Sequence, residues 1–307
     1  MKTLVTGAAG FVGQQILLHN PNFIGVDLRY QDSTVMFCDA RNSEELISTI
    51  RKFQIDKIVH LAGVQYLEYV PKKARENFFS SNVEMAKALH LAACVTGVKR
   101  IVYISTDMVY GAQVTSPVDE DHETSPIGEY GRSKLLSERI LADTSRTYSL
   151  CILRPRLILG RGRQGTIAKL VRLIKSPWPI FLIGNGQNRY QFVSVEDVCE
   201  VILKMLERDT EGIFNIGSDN PPRVTELFEA TLRNLGIKKR IIKIPSLLAF
   251  GILNLLDKLG VSPLAPEQFR IANIDYVLNT NKLNRELNWR ARSNDADLLT
   301  EAIAFLK

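Results

Sequence analysis

The 307-residue sequence lacks the features that mark several special classes of protein. Its cysteines lie far apart with no C-x-x-C spacing, so no zinc or redox motif is present and we predict buried thiols. No block of like charge and no low-complexity linker interrupts the chain. The net charge of +6 is modest and spread along the sequence, so we expect no nucleic-acid partner. The cysteines are Cys38, Cys94, Cys151 and Cys199.

Signals for export or for a membrane span are also missing. The sequence begins MKTLVTG and passes directly into a predicted strand, so we expect a cytoplasmic protein. The most apolar segment, residues 244–259, is shorter than a membrane span and contains Pro245 and Gly251. We interpret it as a buried or interface helix, with a membrane-surface anchor as the alternative, and we expect no firm membrane association.

The first informative motif is a glycine-rich turn between a strand and a helix. Lys2 to Thr6 is an apolar, β-branched run, GAAGFVG follows at residues 7–13, and a helical pattern continues through Leu18. Small residues at such a junction allow a tight turn and bring backbone N–H groups close to a pyrophosphate. We therefore predict dinucleotide binding at Gly7, Gly10, Phe11, Val12 and Gly13.

Acidic residues follow the next two predicted strands. Phe23 to Val26 ends in Asp27, where a carboxylate can bind the adenosine ribose and repel a 2′-phosphate. This favours NAD over NADP, although Arg29 nearby can accommodate the phosphate and keeps NADP as the less favoured option. Val35 to Cys38 leads to Asp39 and Ala40, at a position suited to the adenine edge.

Strands and helices continue to alternate, which predicts an α/β fold with a doubly wound parallel sheet. Residues 43–53 form a predicted helix, and Ile58 to Leu61 form a buried strand that contains His60, which we interpret as a core histidine. This strand opens into Ala62 and Gly63. The remaining predictions are a long helix that begins at Asn82, a strand from Arg100 to Ser105, and a sixth strand from Leu150 to Leu153.

A Tyr-x-x-x-Lys pair lies in the segment after the fifth strand. Tyr130 and Lys134 would lie on one face of a helix, so the ammonium group could stabilise the phenolate and lower the pKa of Tyr130. Thr106 follows the fifth strand, at the end of a parallel sheet where ligands bind. These three residues are the predicted acid/base site.

Six ordered motifs resemble the extended short-chain dehydrogenase/reductase family, which includes NAD-dependent nucleotide-sugar epimerases, dehydratases and reductases. The resemblance implies a Rossmann-type sheet in residues 1–155, with strands returning near 191–193 and 214–216, and a smaller substrate-binding α/β lobe mainly in 156–307. It also implies NAD, a homodimer formed by the helices near Asn82 and Tyr130, and cofactor contacts at 61–63. The motifs are GAAGFVG, LAG at 61–63, STDMVYG at 105–111, YGRSK at 130–134, LRPRLILGRG at 153–162 and GNGQNRYQFVSVEDV at 184–198.

The chemistry implied by this resemblance agrees with the acid/base interpretation. Tyr130 would transfer the proton while hydride moves to or from the nicotinamide, Lys134 would bind the nicotinamide ribose, and Thr106 would contact the reacting oxygen. No metal is expected. For the substrate's diphosphate the resemblance favours Arg189, and Arg161, Arg163 and Arg270 are weaker candidates. The implied cofactor residues include Asp39, Ala40, Leu61, Ala62, Gly63 and Asn82.

Two departures from the family pattern bear on the reaction. Met108 stands where the family's sugar dehydratases carry the glutamate of a Thr-Asp-Glu triplet, and a thioether cannot take a proton from carbon, so dehydration is disfavoured. Leu157, preceded by Arg156, replaces the family's usual asparagine, so RPRLILG also resembles the sterol-dehydrogenase branch, whose second lobe encloses an apolar substrate. The apolar segment 244–259 could line such a site. We therefore predict an NAD-dependent epimerase or keto-reductase of a nucleotide sugar. The alternatives are a dehydrogenase of an apolar alcohol, such as a sterol or isoprenoid, and, less favoured, a non-catalytic NAD-binding regulator.

Overall fold

The strands and helices below come from a computed structural model, which describes residues 1–20, 22–29, 34–65, 72–112, 115–163, 166–262, 264 and 269–305. The strands are β1 Lys2–Thr6, β2 Ile24–Asp27, β3 Val35–Phe37, β4 Ile55–His60, β5 Arg100–Ile104, β6 Ser149–Pro155, β7 Leu157–Leu159, β8 Ile180–Ile183, β9 Phe192–Ser194, β10 Gly212–Ile216 and β11 Ile241–Ile244. The helices are α1 Phe11–His19, α2 Ser43–Phe53, α3 Lys72–Thr96, α4 Glu129–Leu141, α5 Thr166–Lys175, α6 Val195–Glu207, α7 Val224–Asn234, α8 Ser246–Lys258, α9 Asn281–Leu287 and α10 Asp295–Phe305.

Seven strands form one parallel sheet in the order β10-β6-β5-β4-β1-β2-β3. Successive residues of each strand enter cores on opposite faces: Val59 packs with α1 and α6, whereas Ile58 packs with α2 and α3. Burial on both faces explains the nearly continuous apolar runs of these strands in the sequence. The predicted α/β fold with a doubly wound parallel sheet is confirmed.

The carboxyl ends of β1, β4 and β5 lie side by side in this sheet. Ligands of open parallel sheets bind at this edge, so the strand order determines where the site must lie. The predicted strand near residues 214–216 does join the sheet, since β10 pairs with β6. The predicted return near 191–193 is wrong, because β9 pairs instead with β7 in a separate two-stranded sheet.

Strands β8 and β11 and helices α5, α7 and α10 form a smaller α/β unit around their own apolar cluster. Strands β8 and β11 pair in parallel, and the cluster includes Leu159 of β7, Leu227 of α7 and Leu299 of α10.

Three of the four cysteines are buried as predicted, and Cys94 is partly buried. Among the described residues no helix is both long and apolar enough to cross a membrane.

Two helices differ from their predictions. Asn82 does not begin α3 but lies well inside it, because its side chain makes tertiary hydrogen bonds rather than an N-cap. Helix α8, predicted as a buried or interface helix, is mostly exposed, so it is not a core helix. Its fully buried residues are Ala249 and Leu253. Apolar composition alone cannot distinguish a core helix from an exposed one, and only the packing of the rest of the chain decides.

A buried ion pair joins α4 to the sheet. Arg154 of β6 donates to both carboxylate oxygens of Glu138, at 3.1 and 2.6 Å, and its guanidinium lies 4.8 Å from the centre of the Tyr110 ring. Both charged side chains are almost fully buried. Each therefore depends on the other, since an isolated charge in this position would carry its full desolvation cost.

We predict that Glu138→Ala lowers the free energy of unfolding by about 3 to 5 kcal/mol, because it leaves the Arg154 charge buried without its partner. Denaturant unfolding measures the change. Glu129→Ala, which breaks the solvent-exposed Glu129–Arg132 pair on the same helix, serves as the control and should cost at most about 1 kcal/mol. Equal losses in the two variants would contradict the structural role of the buried pair.

Candidate active site

The glycine turn packs directly against the end of β4. Gly7 has a φ of +72°, and a Cβ there would lie 2.5 Å from the backbone nitrogen of Ala62. A Cβ on Gly13 would lie 2.3 Å from the carbonyl oxygen of Gly7. Gly10 caps α1 without a side-chain hydrogen bond. The turn before α1 contains only glycine and alanine, and the first-turn N–H groups of α1 have no partners within the helix. This arrangement fits a dinucleotide pyrophosphate.

Asp27 lies at the end of β2, next to this turn. Its carboxylate accepts hydrogen bonds from the backbone N–H of Ala9 at 3.1 Å and of Arg29 at 2.9 Å, which fix its orientation. The exposed Arg29 guanidinium lies 3.7 Å from the same carboxylate. Arg29 is thus directed toward Asp27, and a carboxylate held here fits a ribose with free hydroxyls.

Asp39 and Ala40 follow β3 at the same edge of the sheet. The Asp39 carboxylate binds the Arg41 guanidinium through two nitrogens, at 2.9 and 2.6 Å, and this contact lowers the pKa of Asp39. Ala40 is buried. The adenine contact expected of Asp39 stays a prediction, and any ligand there would meet an ion-paired carboxylate.

Lys134 is the buried cation of the site. Its ammonium group donates to the carbonyl oxygen of Ile104 at 2.6 Å and lies 4.2 Å from the centre of the Tyr103 ring. Gly63 lies opposite, since a Cβ built there would be 3.8 Å from Lys134 Nζ. Burial lowers the pKa of Lys134 to about 7, and the charge of Glu138 opposes this shift. The ammonium thus connects α4 to the ends of β4 and β5.

Tyr130, one turn before Lys134, is partly buried at the start of α4. Burial raises the pKa of Tyr130 to about 12, Arg163 opposes this shift, and Asp107 adds to it. The expectation that Lys134 lowers this pKa is therefore wrong for the protein alone. The ammonium of Lys134 is directed at Ile104, and the cation that acts on the phenol is Arg163.

Arg163, a weaker candidate for the substrate's diphosphate, lies between the cofactor turn and Tyr130. Its guanidinium lies 5.3 Å from the centre of the Phe11 ring, and its charge acts on the Tyr130 phenol. Burial lowers the pKa of Arg163. A partly desolvated guanidinium beside the first turn of α1 is well placed for an anion bound at this edge.

Thr106 is buried after β5, at the start of a 3₁₀ turn, Asp107–Val109. Its hydroxyl donates to the Asp107 carboxylate at 3.1 Å and accepts from the Met108 N–H at 3.3 Å. The first turn of α4 packs on this segment, because Gly131 brings its Cα against the Met108 carbonyl, where a Cβ would be 2.5 Å away. Tyr130 and Thr106 thus belong to packed neighbouring segments.

The buried ion pair of Asp107 and Arg156 was not predicted from the sequence motifs. Arg156 Nη1 donates to Asp107 Oδ2 at 2.7 Å, and its guanidinium lies within 5 Å of the ring centres of Tyr190 and Tyr276. Tyr276 also donates its hydroxyl to the Asp107 carbonyl at 2.7 Å. Arg156 was visible only as an unusual residue in RPRLILG, and its partners are distant in sequence.

Ser105 is another residue of the site that the sequence motifs did not predict. Its hydroxyl is buried at the carboxyl end of β5 and has no hydrogen-bond partner within the described chain. A buried hydroxyl without a hydrogen-bond partner is costly unless a bound ligand supplies that partner. Together with the glycine turn and Asp27, this hydroxyl fits a polar cofactor at the sheet edge.

Asn82 connects the β4 loop to α4. Its amide accepts from the Val64 N–H at 2.8 Å and donates to the Val64 carbonyl at 3.0 Å and to the Ser133 hydroxyl at 2.9 Å. The expected cofactor contact of Asn82 stays a prediction, while its hydrogen bonds support the loop that contains Leu61, Ala62 and Gly63.

His60 is a core residue, as the sequence suggested: Thr6 binds it at 2.7 Å, and burial lowers its pKa to about 3.

The other arginines do not join Tyr130. Arg189 is exposed, lies 3.6 Å from Asp275, and lines a cleft of about 430 Å³ that also contains Arg290 and Asp219. Arg161 binds Glu301 at the surface. Arg270 is exposed and makes no hydrogen bond or ion pair within the described part of the chain. No group of metal-ligating side chains occurs among the described residues.

This fold and site define a dinucleotide-binding enzyme with a tyrosine and a lysine at the edge of the sheet where the cofactor binds. The chain belongs to the NAD-dependent epimerase/dehydratase family, whose sequence profile matches residues 3–217. Membership confirms the family, the enzyme class and the cofactor NAD that the motifs predicted.

Relatives with established names span more than one reaction. An Escherichia coli O157:H7 N-acetyl-α-D-glucosaminyl-diphospho-ditrans,octacis-undecaprenol 4-epimerase is 28% identical, over 68% of this chain and 64% of its own length. A Mus musculus dTDP-D-glucose 4,6-dehydratase is 26% identical, over 74% and 70%. The structure of MoeE5 with UDP-glucuronic acid and NAD superposes with a TM-score of 0.79, at 23% identity over 100% and 99% of the two chains. This structural likeness confirms the fold.

We predict that the burial of Lys134 makes stability depend on pH. Its ordinary pKa is 10.5 and its folded pKa about 7, so between these values the unfolded chain holds a proton that the folded chain has lost. The free energy of unfolding should therefore rise with pH across this window, by up to about 1.4 kcal/mol per pH unit. Urea unfolding of the wild type and of Lys134→Met at several pH values measures this pH dependence of the free energy of unfolding, which the variant should lack.

The control variant is Lys87→Met, which removes an exposed lysine from α3. It should preserve the pH dependence of the wild type. Parallel curves for the wild type and Lys134→Met would contradict the claim that Lys134 is buried at a desolvation cost.

Proposed function

We propose that this chain is an NAD-dependent epimerase of a nucleotide sugar, with Tyr130 as the acid/base group. The alternative reaction that we propose for the same site is keto-reduction of a nucleotide sugar. The arrangement of Thr106, Tyr130 and Lys134 around the ends of β4 and β5 carries the proposal. The names of the relatives support it, because they act on sugars linked to a diphosphate.

Bound NAD would supply one function, the reversible acceptance of a hydride from the sugar carbon. The residues of the chain handle the proton. Thr106 would hydrogen-bond the reacting hydroxyl, and the phenolate form of Tyr130 would take the hydroxyl proton as the carbon–hydrogen bond breaks, which leaves a keto-sugar and the neutral phenol. When the hydride returns to the other face of the carbonyl carbon, Tyr130 gives the proton back. No net oxidation occurs. The positive charge of Arg163 stabilises the phenolate form of Tyr130.

The Asp107–Arg156 pair argues against dehydration, which matters because dehydratases are among the relatives. Removal of water needs an acid for the leaving hydroxyl and a base for the adjacent carbon–hydrogen bond. Protonation of Asp107 would break its ion pair with the buried Arg156, and Met108 offers no base. Neither step has a suitable group in this turn, whereas epimerisation and keto-reduction need only Tyr130.

The apolar-alcohol alternative loses its two supports from the sequence. Leu157 packs with the apolar cluster of the smaller unit rather than replacing a polar substrate contact. Leu247, Leu248 and Leu255 of α8 face solvent instead of lining a cavity. The non-catalytic alternative is disfavoured because the site keeps both Tyr130 and Lys134 in contact with neighbouring strands and turns.

For the diphosphate of the substrate, Arg189 and Arg290 in their shared cleft are the residues we propose. Arg163 is proposed for an anion nearer the cofactor turn, and Arg270 stays a weaker candidate. We also propose the division into residues 1–155 and 156–307, a homodimer formed through α3 and α4, and a cytoplasmic location.

The experiment that tests the substrate class is a thermal-shift panel. We predict that NAD raises the melting temperature, and that at least one UDP-, GDP-, dTDP- or CDP-sugar raises it further when NAD is present. The physical reason is that a ligand bound only by the folded state stabilises it. A shift with NAD and none with any nucleotide sugar would contradict the proposed substrate class.

The nucleotide sugar that raises the melting temperature then serves as the substrate in an assay of the role of Tyr130. Tyr130→Phe should lower turnover roughly 100-fold or more while the NAD shift is retained, because only the proton-transfer group is lost. Full turnover in this variant would contradict the mechanism.

A further inference from the structure

Helix α8 has an exposed apolar stripe. Leu248, Ile252, Leu255 and Leu259 follow one another at helical spacings of four, three and four residues, and their side chains are between 48% and 65% exposed. The opposite side of α8 packs into the protein through Ala249 and Leu253. A helix that is apolar on both sides is expected to be covered on both sides.

Exposed apolar residues also occur at the start of the helix and on the two paired strands β8 and β11. Leu247, at the start of α8, is 87% exposed. Ile242 of β11 and Phe181 of β8 are register partners in the parallel pair and are both exposed. We define the α8 surface as Phe181, Ile242, Leu247 and the four residues of the stripe. A group of exposed apolar side chains on one helix and on the strands before it is a candidate site of interaction.

The charge around the α8 surface indicates what covers it. Residues 235–262 contain five basic residues and one acidic residue, a net charge of +4 in a chain whose total is +6. The exposed basic side chains of this segment are Lys238, Arg240, Lys243 and Lys258. Leucine and aromatic residues beside lysine and arginine are typical of segments that lie at the surface of an anionic membrane.

A second copy of the chain fits this surface less well. In a two-fold dimer the same surface meets itself, so the two +4 segments would approach each other. Like charges brought together at a desolvated contact are unfavourable. An anionic bilayer instead offers both an apolar layer for the leucines and negative head groups for the basic side chains.

We propose that the α8 surface docks on the face of an anionic lipid bilayer. The helix has 13 residues and is about 20 Å long, too short for a hydrocarbon core of about 30 Å, so it lies along the membrane instead of crossing it. This inference goes beyond the proposed reaction and does not depend on which sugar is converted.

The docked helix would bring one cleft of the protein to the level of the head groups. Ser246, at the first turn of α8, accepts a hydrogen bond from Asn273 at 3.1 Å, and both line a cleft of about 500 Å³ with Lys243 and Gly184. Three residues after Asn273, Tyr276 binds the Asp107 carbonyl beside Thr106. The segment that borders the docked cleft therefore continues into the candidate active site.

Co-sedimentation with lipid vesicles tests the proposal. The full chain should sediment with phosphatidylcholine vesicles that contain phosphatidylglycerol, and binding should weaken with added salt and with vesicles of phosphatidylcholine alone. The double variant Leu248→Glu/Leu255→Glu should bind at least about tenfold more weakly, because it removes apolar contact and adds negative charge. Both positions are exposed, so the variant should keep its NAD-induced melting shift, which shows that it is folded.

The matched control is Leu18→Glu, which changes an exposed leucine at the end of α1 and should bind vesicles like the wild type. Failure of the wild type to sediment with anionic vesicles overturns the proposal. So does an equal loss of binding in the control, or binding that is independent of phosphatidylglycerol. If the α8 variant instead converts a dimer into a monomer and the wild type ignores vesicles, a second copy covers this surface.

Discussion

The contact between the Lys134 ammonium and the Ile104 carbonyl is the constraint on which the site depends. It draws α4 onto the carboxyl end of β5, over the ring of Tyr103, and so determines where Tyr130 lies one turn earlier. One turn later, Glu138 pairs with Arg154 of β6. Residues 130, 134 and 138 thus share a face of α4 that is directed toward the sheet, which combines the candidate chemistry with the packing of the domain.

Other hydrogen bonds support this arrangement from two sides. The amide of Asn82 connects Ser133 on α4 to Val64 after β4, so that the loop at 61–63 and the helix are positioned together. On the other side, Arg156 secures Asp107 and the turn that carries Thr106. These contacts are buried and come from segments distant in sequence. A change in any of them should therefore affect the geometry of the site as well as the stability of the chain.

Local patterns predicted the fold well, because strand and helix periodicity and the glycine turn depend on neighbouring residues. The helix at 43–53 and the strand at 2–6 are confirmed, and the glycine turn lies between β1 and α1. The errors involve partners distant in sequence. The role of Asn82 depends on Val64 and Ser133, the pairing of β9 depends on β7, and the exposure of α8 depends on what the rest of the chain leaves uncovered. The pKa of Tyr130 was misjudged for the same reason, because burial by segments distant in sequence raises it more than the charge of Arg163 lowers it.

We propose that one site removes a hydride from a sugar carbon and returns it to the same molecule. Nucleotide sugars deuterated at the reacting carbon, incubated with the NAD-loaded enzyme, test this proposal directly by nuclear magnetic resonance and mass spectrometry of the product. We expect an epimer that keeps its deuterium at that carbon, with no reduced cofactor released to solution. Deuterium found in free NADH, or in a product that has lost water, would contradict it.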